Sequence, residues 1–76
     1  MDKMDFLEKI EQALNSQPHG LIYRCVISDA EKALIEKALE RTHGNQILAA
    51  RLLGLNRNTI RTKIKKLNIL MEKYKA

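Results

Sequence analysis

The sequence is short of the residues from which sheets, disulfides and metal clusters are built. Its 76 residues include one proline, three glycines and one cysteine, and only 4% are aromatic. Because Cys25 is the only cysteine, an intramolecular disulfide and a thiolate zinc cluster are excluded. The scarcity of aromatic residues leaves little from which to build a sheet, so the chain is expected to be all-helical.

The sequence also lacks the patterns of an enzyme or a membrane protein. It has no paired nucleophile and base, no glycine-rich phosphate loop and no cluster of carboxylates. His19 and His43 have no carboxylate or thiol at metal-ligand spacing, so no catalytic residue, cofactor or metal is expected. No apolar run suits a signal peptide or a membrane span. We therefore expect a cytoplasmic protein without a membrane partner.

Acidic residues are missing from the stretch between Arg41 and Met71. Residues 1–40 contain five basic and eight acidic side chains, whereas residues 41–76 contain nine basic side chains and one acid. A half-chain of this composition generates a positive potential that attracts a polyanion. Nucleic acid is the favoured class of partner, and an anionic membrane surface is the second.

Apolar residues recur at three- and four-residue steps and predict four helices. The first ends near Asn15, the second runs from Leu21 to Arg41, the third covers Gln46 to Leu53, and the fourth runs from its cap, Asn56, to about Asn68. A capping-box pattern at Ser28–Glu31 leaves a break in the second helix as the alternative. The tail from Ile69 is expected to extend the last helix or to fray.

Apolar side chains cover a wide arc of the second helix, which predicts a homodimer. A helix that is apolar over more than one face needs neighbours on both sides. A chain this short buries only about 60% of the surface that it exposes when unfolded, so its core is marginal. Without disulfides or a metal, a partner subunit is the remaining source of stability.

Residues 44–67 have the spacing of two short helices joined by a tight turn. Gly44 suits the left-handed position that ends the second helix, and Asn45 suits the cap of the third. Small side chains at Ala49 and Ala50 permit a close helix crossing, and Gly54 permits a sharp turn. The apolar residues expected to lock the fourth helix in place are Leu53, Leu55, Ile60, Ile64 and Leu67.

The fourth helix is predicted to have two chemically different sides. At about 100° per residue, Ile60, Ile64 and Leu67 fall on one side. The other side carries amides, hydroxyls and cations but no carboxylate, and consists of Asn58, Thr62 and Lys65 flanked by Thr59, Arg61 and Lys66. Arg and Asn side chains can fork onto DNA base edges, while Lys and Thr reach phosphates. Asn45, Gln46 and Asn56 lie at helix N-termini, where phosphates are favoured.

Several runs in this segment resemble the Fis-type helix-turn-helix, namely Gly44-Asn45-Gln46, Ala49-Ala50, Leu53 to Thr59 and Lys63-Ile64-Lys65. This module occurs in Fis nucleoid proteins and at the C-terminus of NtrC-type, sigma-54-dependent transcription activators. The resemblance is specific from about Ala30 to Ile69. It implies that Asn45, Gln46, Asn56, Arg57, Thr59, Arg61, Thr62 and Lys63 lie near DNA.

The resemblance also implies a domain organisation. An all-α, four-helix Fis-like domain would use residues 1–41 as dimerisation helices, 42–69 as the helix-turn-helix that binds DNA, and 70–76 as a tail. The first two helices would intertwine in a homodimer that binds a palindromic site on double-stranded DNA in the nucleoid. Function would then be sequence-specific DNA binding.

Two departures from the nucleoid protein favour the activator branch. The chain begins with a helix and not with a β-hairpin arm, and Thr62 stands where the nucleoid protein has a basic residue. The parent protein would then carry an ATPase domain upstream. The alternative is a free-standing Fis-like protein that bends DNA. There are two further alternatives. The chain could be a helical bundle that binds an acidic protein partner, or its basic helix could be only a solvated surface.

Overall fold

A computed structural model describes residues 3–74 of the chain, with side chains from Asp5 onward; Lys75 and Ala76 of the predicted tail lie outside the described residues. The elements are α1 (Lys3–Ser16), α2 (Ile22–Arg41), α3 (Gln46–Leu53), α4 (Arg57–Lys66) and a C-terminal 3-10 helix (Met71–Tyr74). Residues 3–74 contain no strand. The all-α fold and its four predicted helices are confirmed. Because α2 is continuous through Ser28, the alternative of a break there is wrong.

The chain divides into two compact units, an N-terminal unit (Met1–Ala30) and a C-terminal unit (Glu31–Ala76). In the N-terminal unit, none of the side chains described between residues 5 and 30 is buried. The buried core belongs to the C-terminal unit and consists of Ile35, Ala38, Leu39, Ala49, Ala50, Ile60, Ile64 and Ile69. The part of the fold that holds α4 in place is therefore the C-terminal unit.

The core of the C-terminal unit joins α4 to α2 and α3. Leu39, Ala49 and Ile60 are completely buried. Because Ala49 and Ala50 have small side chains, α3 can approach its neighbours closely, as the sequence predicts. Leu53, Leu55 and Leu67 are partly buried and pack against this core, which confirms the predicted set of apolar contacts.

The turn between α3 and α4 depends on Gly54, which has a φ of 75°. The Gly54 N–H donates to the carbonyl of Arg51 at 3.2 Å, and the Leu55 N–H donates to the carbonyl of Ala50 at 2.8 Å. These two bonds satisfy the last carbonyls of α3 and close the helix with a left-handed residue. The predicted sharp turn at Gly54 is confirmed.

The turn between α2 and α3 contains two left-handed residues. His43 has a φ of 53° and Gly44 a φ of 82°. The Gly44 N–H donates to the carbonyl of Leu39 at 2.9 Å, which is the bond made by the second residue after such a helix end. Gly44 is left-handed as predicted, but His43 occupies the first left-handed position that the sequence had assigned to Gly44.

For residues 69–74, the prediction that the tail extends α4 or frays is wrong. Asn68 has a φ of 56°, which ends α4, and the Ile69 N–H donates to the carbonyl of Ile64 at 3.0 Å. Asparagine tolerates this left-handed conformation better than most residues, so it can stop a helix as glycine does. The reversal brings Ile69 into the core at 6% exposure.

The 3-10 helix that follows packs against the rest of the C-terminal unit. Tyr74 is half-buried beside the core, and its backbone carbonyl oxygen lies 3.0 Å from the place where a Cβ on Gly44 would stand. Desolvation raises the pKa of the Tyr74 phenol above its ordinary value, and the carboxylates of Glu36 and Glu40 raise it further. The tail therefore packs against the turn that leads into α3.

The two glycine turns give a prediction about stability. Gly54→Ala introduces only the cost of a left-handed alanine, about 1 kcal/mol, because no atom lies within 4 Å of the new Cβ. Gly44→Ala adds a collision with the backbone of Tyr74, so we expect its total cost to be about 2 kcal/mol or more. Urea unfolding at one protein concentration measures the loss in the free energy of unfolding for both variants. Equal losses would show that the backbone of Tyr74 does not restrict the Gly44 turn.

Candidate nucleic-acid interface

The outer side of α4 has the composition that the sequence predicts. Ile60 and Ile64 are buried, and the side chains on the opposite side of the helix are exposed. That exposed surface, here called the α4 face, consists of Asn58, Thr59, Arg61, Thr62, Lys65 and Lys66. It contains two hydroxyls, an amide and three cations, and no carboxylate. Such a surface can donate hydrogen bonds to base edges and phosphate oxygens.

Asn56 caps the N-terminus of α4. Its backbone is extended, with φ −69° and ψ 143°, and its side-chain oxygen accepts a hydrogen bond from the Asn58 N–H at 2.7 Å. Because the oxygen is the acceptor, the amide nitrogen of Asn56 still carries two donors. Arg57 is exposed in the first turn, which contains no acid, so the partial positive charge of the helix end is not offset there.

Asn45 caps α3 in the same way. Its side-chain oxygen accepts a hydrogen bond from the Leu48 N–H at 3.1 Å, and its backbone is extended. Asn45 is exposed, whereas Gln46 is half-buried. Both predicted caps are therefore present, and each fixes its helix start while leaving amide donors at the helix end.

The hydroxyl of Thr62 is engaged within α4. It donates to the carbonyl of Asn58 at 2.9 Å, one turn earlier in the helix. A hydroxyl has one proton, so in this rotamer Thr62 offers only acceptor lone pairs to a ligand. Thr62 therefore differs from the cations beside it, which can only donate.

Lys63 stands apart from the other predicted contact residues. It is half-buried, and its ammonium group donates to the carboxylate of Glu31 on α2. In the sequence, Glu31 stands out only as part of the Ser28–Glu31 capping-box pattern, which does not indicate a pair with Lys63. Helical geometry could have separated Lys63 from the α4 face, because at about 100° per residue Lys63 lies only about 60° from the buried Ile60.

The cations of the α4 face have no carboxylate beside them. In the part of the chain that the structure describes, the salt bridges are Lys63–Glu31 and Lys37–Glu40, the latter with a nitrogen–oxygen distance of 3.6 Å on the exposed side of α2. Neither involves Arg57, Arg61, Lys65 or Lys66. Their charges therefore add to one positive potential at this surface.

Residues 3–74 contain neither a candidate metal site nor a candidate membrane span. Within residues 3–74, no three His, Cys, Asp or Glu side chains are grouped so that they could hold a metal ion. None of the described helices combines the length and the apolar character that crossing a bilayer requires.

Comparison with known proteins gives matches of two kinds. The DNA-binding transcriptional regulator NtrC of Azospirillum brasilense is 49% identical over 55 residues, which cover 72% of this chain and 11% of that protein. NtrC of Rhizobium meliloti (strain 1021) is 56% identical over 52 residues, covering 68% of this chain and 10% of NtrC. DNA-binding protein Fis of Proteus mirabilis is 40% identical over 53 residues, covering 70% and 54%.

The matches cover different shares of the relatives' lengths. The chain spans about a tenth of the length of the NtrC relatives and about half of the Fis relative. No solved structure matches it. Residues 26–67, which run from α2 past the end of α4 and make up more than half of the chain, match the bacterial regulatory protein, Fis family. The chain therefore belongs to the Fis family of bacterial regulatory proteins.

Proposed function

We propose that this chain binds double-stranded DNA sequence-specifically as a homodimer and is the DNA-binding module of a bacterial sigma-54-dependent transcription activator. The observation that carries the proposal is the α4 face, which is cationic, free of carboxylates and held outward by the burial of Ile60 and Ile64. Membership of the Fis family supports it, as do the relatives named as DNA-binding proteins.

In the proposed complex, α4 lies in the major groove. Arg57, Arg61 and Asn58 have the side chains that pair bidentately with guanine and adenine edges. The Thr59 hydroxyl and the ammonium groups along the same helix reach phosphates, whereas Thr62 offers an acceptor to base amino groups. The capped ends of α3 and α4 present backbone amides to the DNA backbone. The proposed contact residues are Asn45, Gln46, Asn56, Arg57, Asn58, Thr59, Arg61, Thr62, Lys65 and Lys66. Lys63, the remaining residue of the sequence prediction, is not included because its ammonium group is paired with Glu31.

We propose that the N-terminal unit forms the dimer interface. Its apolar side chains are largely exposed, including Phe6, Leu7, Leu14, Leu21 and Ile27 at 38% to 53%. Since none of the side chains described for residues 5–30 is buried, this unit gains little from folding alone, and a second copy of the chain supplies matching apolar surface. Two copies related by a two-fold axis would bind half-sites about one turn of the DNA helix apart, which makes the target a palindrome.

The activator branch is favoured over the nucleoid branch by two observations. The identity is higher to the NtrC relatives than to Fis, and in such an activator an ATPase domain would lie upstream of this module. Thr62 also stands on the α4 face at a position where the nucleoid protein has a basic residue. A free-standing Fis-like protein that bends DNA is the second candidate, because Fis of Proteus mirabilis is 40% identical. Either protein would work in the cytoplasm, on the nucleoid.

Two arginines provide a matched test of DNA binding. Arg61 lies on the α4 face and Arg51 on α3, and both are exposed. We expect Arg61→Ala to weaken binding of the dimer to a selected palindromic duplex roughly 30-fold or more, because a bidentate base contact contributes about 1–3 kcal/mol and one is lost in each half-site. Arg51→Ala removes the same charge without removing a proposed contact, so its effect should be below about threefold.

Fluorescence anisotropy against the selected duplex and a random duplex provides the measurement. Affinity should also fall steeply with salt, since each phosphate contact releases counterions. Equal effects of the two arginine variants, or no preference for the selected duplex, would contradict sequence-specific reading by α4.

Sedimentation tests the homodimer. The unaltered chain should sediment as a dimer at micromolar concentration, and Leu14→Glu should dissociate it, because a carboxylate would replace an apolar side chain in the proposed interface. Gln12→Glu introduces the same charge at an exposed polar position of α1 and should leave the dimer intact. A monomeric unaltered chain would contradict the proposal.

DNA bending separates the two branches. An activator module is expected to prefer its palindrome strongly, whereas a nucleoid protein selects sites through the sequence-dependent cost of bending. Circular-permutation gel shifts on the selected duplex measure the bend. A large bend combined with weak sequence preference would favour the Fis-like alternative and count against the activator branch.

A further inference from the structure

The ion pair between Glu31 and Lys63 connects α2 to α4 within the C-terminal unit. The two residues are 32 positions apart in the sequence, and their side chains are only 32% and 33% exposed. The pair Lys37–Glu40, by contrast, lies within one helix, with side chains 81% and 66% exposed. Exposed pairs of that kind are screened by water and salt, whereas a partly buried pair is screened much less.

Both partners stand beside core residues. Glu31 lies one helical turn before Ile35, which is 2% exposed, and Lys63 adjoins Ile64, which is 6% exposed. The burial of Ile60 and Ile64 fixes which side of α4 faces inward, but apolar contacts are non-directional and tolerate small rotations of the helix about its axis. A charge-assisted hydrogen bond at the side of α4 has a defined direction, and it restrains that rotation more closely.

We propose that Glu31 is a positioning residue for DNA recognition, and that Lys63 stays paired with Glu31 in the DNA complex and makes no phosphate contact. The inference rests on the proposed function. It removes Lys63 from the contact residues that the family resemblance implies, and it gives α2 a part in setting which side chains of α4 reach the bases.

The electrostatics favour a pair that persists on DNA. If the Lys63 ammonium moved to a phosphate, the Glu31 carboxylate would be left partly buried and unpaired near a polyanion. Lys65 and Lys66 are exposed and have no salt-bridge partner among the described residues, so they can contact phosphates without such a loss. Phosphate binding is therefore assigned to these two lysines and not to Lys63.

Charge reversal of the pair tests the inference without changing the net charge. The double variant E31K/K63E keeps an ion pair at this position, and we expect its affinity for the selected duplex to be within threefold of the unaltered chain. The slope of log affinity against log salt should also be unchanged. Lys65→Gln is the control, and it should reduce the magnitude of that slope by about 1.8, the value expected when each of the two subunits loses one phosphate contact.

Single substitutions separate positioning from simple structural support. We expect Glu31→Gln to lower the ratio of affinities for selected and random duplexes about tenfold, because α4 would be less closely aligned with the bases, while the salt slope stays the same. Lys63→Gln should weaken binding with an unchanged slope. Circular dichroism confirms that each variant is folded, and should E31K/K63E fail to fold, the slope of Lys63→Gln decides the matter.

The outcomes distinguish this inference from the function on which it rests. If the unaltered chain binds its duplex but the slope for E31K/K63E or Lys63→Gln is smaller by about 1.8, Lys63 contacts phosphate in both subunits and the inference is overturned. It is also overturned if Glu31→Gln weakens binding to both duplexes equally. Absence of DNA binding by the unaltered chain would overturn the proposed function itself, and this inference with it.

Discussion

The structure depends on the burial of one side of α4 against α2 and α3. Ile60 is completely buried and Ile64 nearly so, and they pack in one core with Leu39, Ala49 and Ala50. Transfer of these side chains from water is the main favourable contribution that holds a ten-residue helix in place. Since the inner side is fixed, the polar and cationic side is directed outward. The candidate function follows from this division of one helix into two sides.

The ends of the helices are as important as their packing. Asn45 and Asn56 start α3 and α4 by accepting hydrogen bonds from backbone amides, and left-handed residues end α2, α3 and α4. These ends satisfy backbone groups that short helices otherwise leave unpaired. They also fix the directions in which the chain enters and leaves α4, so the α4 face keeps a defined position relative to the cap of α3.

The N-terminal unit contrasts with this ordered core. Its described side chains are at most partly buried, and several large apolar residues on α1 and α2 are exposed. The proposed homodimer gives this surface a use, because two copies of a small unit can share the core that neither has by itself. DNA recognition and dimerisation would then be divided between the two units, with α2 belonging to both.

Periodicity, caps and composition in the sequence by themselves determined the helices, the buried side of α4 and its carboxylate-free outer side, because these features depend on residues within one or two turns of each other. Tertiary structure alone decided the rest. The reversal at Asn68 depends on Ile69 and Tyr74 finding a core to pack against, and the pairing of Lys63 depends on Glu31, 32 residues away. Local patterns cannot reveal such contacts, since a chain's distant parts meet only when the whole domain has packed.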